Sequence, residues 1–449
     1  MHRFLHNQWI GMLLLVLPLS SYAATYFVTP SGGGNHSGTS LGNAFSLSDF
    51  NSGKGAGGDT LNFSGTFTST VAPARSGSSN SARITLNMSG ATLVSASTRI
   101  QLSALSYLNI VGGSCGSSYD GVMVNFNPNN GGISHDITVS NWTYTGQANG
   151  VGLFLSLNHV YNLVVSNCTV ENVGSFIVGD STQNHDIDIT GCYAGGSTDV
   201  TAQDDLIHIG DAANVTIEKC KLIGRAPASP SGGRHNDIVQ NYTKGGSYPG
   251  SPTNWIIRYN WFELQQRSGS GDCSWLMFQS MGGNPALKLY GNVFVGTGTV
   301  GDNGVCISRN NGGVYYCYNN TFVRHGNPGN DIRFMDSGTL YSRNNVGQSD
   351  VPVGNFATWT MGNGGWDYNF FLNAPTSGAY SGSHGSQSTN PLFVNYGGNN
   401  FSFASNSPLR GRGDRSIGTE FATGIKAGST WPNPALTPRN TWDIGAFNQ

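Results

Sequence analysis

Charge is scarce in this chain. Only 10% of its 449 residues are Asp, Glu, Lys or Arg, and the formal net charge is −2. No basic run exceeds two residues, which argues against a nucleic-acid partner. Apolar runs are short beyond residue 19, so no later segment approaches the roughly 20 residues of a membrane-spanning helix. Heptads are absent, which excludes a coiled coil. No Cys/His spacing resembles a zinc site.

Lys and Arg are also missing locally. Residues 100–218 contain none, against eleven Asp and Glu. Residues 219–345 then carry twelve Lys and Arg against six acids. A basic stretch in an exported protein suggests an anionic partner. Pairing of Glu218 with Arg258 would explain one contact, though not the asymmetry.

The chain opens with a segment that reads as a secretory leader. Arg3 precedes an apolar core from Ile10 to Leu19, and Ser21-Tyr-Ala-Ala24 offers small residues for cleavage after Ala23 or Ala24. The mature protein is expected outside the cytoplasm, as a monomer. Seven cysteines follow the leader. Export permits disulfides, but the number is odd, and three of these cysteines share an interior column.

That column is the strongest signal present. It reads Trp142, Cys168, Cys192, Cys220, Asn260, Asn292, Asn320 and Asn345. Five residues before it stand Ile137, Leu163, Ile187, Val215, Trp255, Leu287, Tyr315 and Leu340; two after it stand Tyr144, Val170, Ala194, Leu222, Phe262, Phe294 and Phe322. The phrase is a strand with period-2 alternation followed by a turn. Gly, at 64 residues, and Asn supply the turns. Repeats of this length, with a second strand in most coils, predict an all-β parallel β-helix. Cys168, Cys192 and Cys220 then become buried packing thiols. Residues 1–23 are the leader, 24–99 the N-terminal cap and first coils, 100–350 the repeats, and 351–449 the C-terminal coils and cap.

The opening Tyr26-Phe-Val-Thr-Pro-Ser-Gly32 and the Cys/Asn ladder resemble secreted bacterial proteins of the pectate-lyase-like superfamily. So do Pro391-Leu-Phe-Val394, Ser407-Pro-Leu409 and Arg439-Asn-Thr-Trp-Asp-Ile-Gly-Ala-Phe447. The resemblance implies a right-handed parallel β-helix with both ends capped. It admits polysaccharide lyases, glycoside hydrolases, epimerases and surface proteins, among which fold does not choose.

One coil is out of step. Cys220 and Asn260 are 40 residues apart, and the excess falls in two loops, Gly224 to Gly233 and Tyr242 to Thr253. Insertions in solenoids collect on the binding face. Between the loops lies Arg234-His235-Asn236-Asp237-Ile238-Val239-Gln240, and the preceding coil carries Asp204-Asp205-Leu206-Ile207-His208. Aligning the two phrases sets Asp205 beside Asp237 and His208 beside Gln240, about 5 Å apart. Such carboxylates suit Ca²⁺ shared among Asp204, Asp205 and Asp237, or a coupled acid/base pair.

The favoured reading is β-elimination on an acidic, uronic-acid-containing polysaccharide. His235, Asp237, Arg234, Lys221 and Arg258 are the catalytic candidates, with His208, Gln240, Glu263 and Arg267 as substrate contacts. The resemblance implies a Lys or Arg base, often with calcium. An alternative is a glycoside hydrolase using the Asp pair, although the Asn-Thr-Asp, Gly-His-Gly and Arg-Ile-Lys patterns of polygalacturonase-type enzymes are missing. The third reading is a non-catalytic glycan-binding or surface protein. Asp272 is a further possible contact, Trp255 and Trp275 are core or sugar platforms, and His135-Asp136 and His185-Asp186 are turn residues.

Overall fold

A computed structural model describes residues 23–94, 98–116, 121–126, 132–146, 152–180, 184–196, 205–225, 237–241, 252–265, 274–279, 281–298, 304–308, 312–326, 332–334, 337–350, 357–359, 361–373 and 382–449. Nearly all of the expected leader lies outside them.

Each coil contributes three strands. In one turn of the helix, Ala213–Glu218 ends on Lys219, the column residue Cys220 follows, and Lys221–Arg225 runs on from it. The third strand of the same turn is Val239–Asn241, after which Trp255–Arg258 returns beside Ala213–Glu218 to begin the next coil. Stacking is parallel throughout the solenoid, and the third strands form a sheet of ten. The architecture is the parallel β-helix expected from the repeat. No described helix is long and apolar enough to cross a membrane.

The corner before the column is made by one left-handed residue per coil. It is Asn141, Asn167, Gly191, Lys219, Tyr259, Gly291, Asn319, Asn344 and Tyr368, with φ between 54° and 66°. Asn and Gly tolerate that conformation at little cost, and Lys219 and Tyr259 adopt it only because the coils on either side impose it. The bend turns the column side chain inward.

Inside, an amide must find partners or be very costly. Asn292 donates Nδ2 to the Ile257 carbonyl at 2.8 Å and to Asn320 Oδ1 at 3.1 Å. Its own Oδ1 accepts the Asn260 backbone N–H at 3.1 Å and Asn260 Nδ2 at 3.0 Å. The same pattern passes through Asn320 and Asn345 to Asn369, one coil beyond the last column member legible in the sequence.

Toward the N-terminus thiols replace amides. Cys168, Cys192 and Cys220 are buried and unbridged, and each Sγ donates to a carbonyl of its own or the preceding coil. Burial pushes the Cys192 thiol well above its ordinary range, and the three thiols serve as buried packing groups. At the head of the column Trp142 covers Gly113; a Cβ there would lie 2.4 Å from the indole.

The flanking apolar columns fill the interior. Phe262, Phe294 and Phe322 stack at 4.9 Å with nearly parallel planes, one ring per coil, each burial contributing about 1.5–3 kcal/mol. Trp255 and Trp275 are 0% and 1% exposed and donate to the Ala212 and Val295 carbonyls, so both are core. At the N-terminal side a short helix, Leu47–Asn51, places Leu47 and Phe50 in the same core, Phe50 edge-on to Phe63. His135-Asp136 and His185-Asp186, expected as turn residues, instead open the ladder strands Ser134–Ser140 and His185–Thr190, with Asp136 and Asp186 left-handed at φ of 55° and 54°.

The chain end lies along the outside of the coils. Phe401, Phe421, Ile425, Ala446 and Phe447 pack against Tyr259, Trp261, Tyr290, Val293, Val295, Tyr318 and Val323, which point away from the solenoid core. Arg439 is buried and donates to the carbonyls of Asp443, Gly445 and Ala446. Burial pulls its guanidinium down to about 10. Lys288 and Glu420 at 2.7 Å, and Arg343 with Asp414, tie this segment to the coils.

Candidate functional site

The third sheet carries the first cluster. Its outward column runs Ser156, Val178, His208, Gln240 and Met277, one residue per coil. His208 and Gln240 are therefore direct neighbours. Three residues earlier the chain of each coil enters the strand, and there Asp205 and Asp237 are set together.

Asp205 Oδ1 accepts the Asp237 backbone N–H at 2.9 Å, and Asp205 Oδ2 lies 3.0 Å from His208 Nδ1. Asp205 and Asp237 are 4% and 1% exposed, and His208 is half-buried on the outer face. In the tautomer that gives Nδ1–H to the carboxylate, the basic nitrogen of the imidazole is Nε2, which is itself buried. A buried carboxylate anchored to the backbone and holding a histidine is an arrangement suited to general-base chemistry.

Asp204, Arg234, His235, Arg267 and Asp272 lie outside the described residues. Calcium shared by Asp204, Asp205 and Asp237 would require six to eight oxygens. Both oxygens of Asp205 are already engaged, and no group of three His, Cys, Asp or Glu among the described residues could hold a metal ion. Asp205 and Asp237 alone, without Asp204, do not make up such a cage among the described residues.

The remaining candidates are on other sheets. Arg258 projects from the ladder strand, bonded to Glu218 at 2.6 Å and to Tyr290 Oη at 2.9 Å. It is the one-coil pair that the sequence suggested, placed where the acidic half meets the basic half.

Lys221 and Glu263 project from the second strand of their coils, on a different face. The position one after the ladder column reads Thr169, Tyr193, Lys221, Trp261 and Val293 along that face. Two positions further on, Glu171 reaches across Gly195, where a Cβ would stand 2.5 Å from its Oε2. Arg225 NH1 lies 3.9 Å from that same oxygen and also donates to the Gly196 carbonyl. Burial, and then hydrogen bonding to Glu171, push the Tyr193 phenol well above its ordinary range, so Tyr193 stays a proton donor.

Sequence reading singled out Lys221 but not the rest of this column. Its change from Thr to Tyr, Lys and Trp at the irregular coil was visible at offset one from the ladder. Trp431, which packs 5.2 Å from Trp261, arrives from 170 residues away and has no local signal.

No protein-family model matches the chain, and neither does any curated protein. Among solved structures, it is similar to pectate lyase Pel9A, with 15% identity, 96% of this chain and 97% of that one covered, and a TM-score of 0.46. It is also similar to a GH136 lacto-N-biosidase from Eubacterium ramulus, with 13% identity, 77% and 67% covered, and a TM-score of 0.46.

Proposed function

We propose that the protein is an exported polysaccharide lyase that cleaves a uronic-acid-containing chain by β-elimination, with His208 as its base. The observation that carries this reading is the contact of Asp205 Oδ2 with His208 Nδ1 at 3.0 Å, on a carboxylate itself fixed by the Asp237 N–H.

In the proposed elimination, His208 takes the proton from C5 of the uronate through Nε2, a buried atom that substrate binding has to uncover. The C5–H pair becomes the C4=C5 double bond, the C4–O bond breaks, and the leaving oxygen takes a proton from solvent water. Asp205 stabilises the imidazolium as it forms. Gln240, the register neighbour of His208 one coil on, is the proposed hydrogen-bond partner of that sugar. Arg234, which lies between the two loops in sequence and three residues before Asp237, is the proposed cation that neutralises the uronate carboxylate.

A hydrolase built on the Asp205 and Asp237 pair draws less support. One coil step is near the carboxylate separation of retaining enzymes, about 5 Å, but both side chains are buried and Asp205 is bonded through both oxygens.

The test is a panel of polyuronates and neutral glycans. Ultraviolet absorbance from unsaturated ends on polyuronates supports the proposal. Reducing ends without that absorbance make the protein a hydrolase. Retention on a glycan column with no product makes it a binding module.

A further inference from the structure

Where the C-terminal segment crosses the second sheet, a hollow of about 280 Å³ is lined by Lys221, Trp261, Glu263, Asn399, Ser429 and Trp431. It belongs to a different sheet from His208. Its walls are well fixed. Trp261 is sandwiched between Phe401, stacked at 5.8 Å, and Trp431, tilted by 54° at 5.2 Å. Trp431 Nε1 is tied to the Tyr259 carbonyl at 3.3 Å.

The charges inside are unequal in their commitments. Glu263 accepts from Trp261 Nε1 at 3.2 Å and from Gln265 Nε2 at 2.8 Å. Other bases around it have carboxylate partners: Lys219 and Arg258 have Glu218, Arg225 has Glu171 and Lys288 has Glu420. Lys221 forms no ion pair among the described residues, although it sits half-buried in the hollow.

A lysine whose stem covers an apolar surface and whose head stays in water is common. Here the head shares a concave site with an indole that is partly exposed and with a hydroxyl and an amide. We infer that this hollow is an auxiliary subsite for an acidic sugar: the uronate carboxylate pairs with Lys221, the pyranose C–H face lies on Trp431, and Ser429 and Asn399 take its hydroxyls. Aromatic faces carry sugar rings and a fixed cation selects the charged ones. The subsite would hold an anionic chain on the outside of the coils, and its residues are independent of the lyase reading.

The probe is trigalacturonate, with maltotriose as the neutral control, titrated while tryptophan emission is followed. Trigalacturonate should change the emission, and Trp431→Phe should remove most of that change. Lys221→Met should weaken the response about tenfold while Lys221→Arg keeps most of it. Should Lys221→Met fold poorly by circular dichroism, Lys221→Gln takes its place. His208→Asn should bind at this site as the wild type does. An emission response that is equal for maltotriose, or unchanged in Lys221→Met and Trp431→Phe, overturns the subsite. Loss of the lyase reading would appear separately, as turnover undiminished in His208→Asn with binding here intact.

Discussion

Asp205 joins His208 to the following coil: one carboxylate oxygen stands 3.0 Å from the imidazole Nδ1, and the other accepts the Asp237 N–H at 2.9 Å. The same side chain thus contacts a largely buried histidine and caps a buried backbone donor. Asp205→Ala removes both functions. Leaving a buried N–H unsatisfied costs about 1–3 kcal/mol, so its urea midpoint should fall, whereas His208→Asn should leave the midpoint near that of the wild type. Equal midpoints for Asp205→Ala and the wild type would remove the capping role.

The asparagine ladder gives a second prediction. Asn292 satisfies the Asn260 N–H and side-chain amide and the Ile257 carbonyl. Asn292→Ala leaves several of these groups buried without partners, at a cost of about 3 kcal/mol or more. Thermal unfolding should show a large drop. A shift no greater than that of a surface Asn substitution contradicts the ladder's energetic role.

Much of this was readable in advance, and the reason is physical. A parallel solenoid repeats the same environment every coil, so the column and its apolar flanks recur in register and announce the three-strand turn. The pairing of His208 with Gln240 followed from aligning two adjacent phrases for the same reason. What sequence could not reveal was which groups touch across three residues or across 170. His208 was read as a substrate contact because its bond to Asp205 depends on the curve of the chain entering the strand. Trp431 meets Trp261 only because the C-terminal segment folds back along the coils.

Glycine at 113 is set by Trp142. Its φ of 107° and the 2.4 Å approach of the indole to a Cβ make Gly113→Ala doubly unfavourable. Gly397, with nothing within 4 Å, is the control. Gly113→Ala should lose about 1–3 kcal/mol and Gly397→Ala nearly nothing, measured by urea unfolding. Matching losses would contradict the close packing at the head of the column.

Acid should loosen the chain end. Burial raises the Asp414 carboxyl, but Ser416 and Arg343 outweigh it and hold the group below its ordinary 3.8. A depressed folded value means that the stabilisation is complete above the unfolded value and disappears as pH falls through the folded one. Wild type should exceed Asp414→Asn in stability at neutral pH, and the gap should close below about pH 4. A gap that is constant with pH contradicts the Arg343 and Ser416 assignment.

The measurement that tests the central claim most directly is the initial rate of unsaturated-uronate absorbance on a polyuronate, for wild type and His208→Asn side by side. General-base removal costs about 10²–10⁴ in rate. The account predicts product from the wild type and a loss of at least about a hundredfold in a variant that melts with it. Equal rates, or cleavage by the wild type without the absorbance, would contradict it.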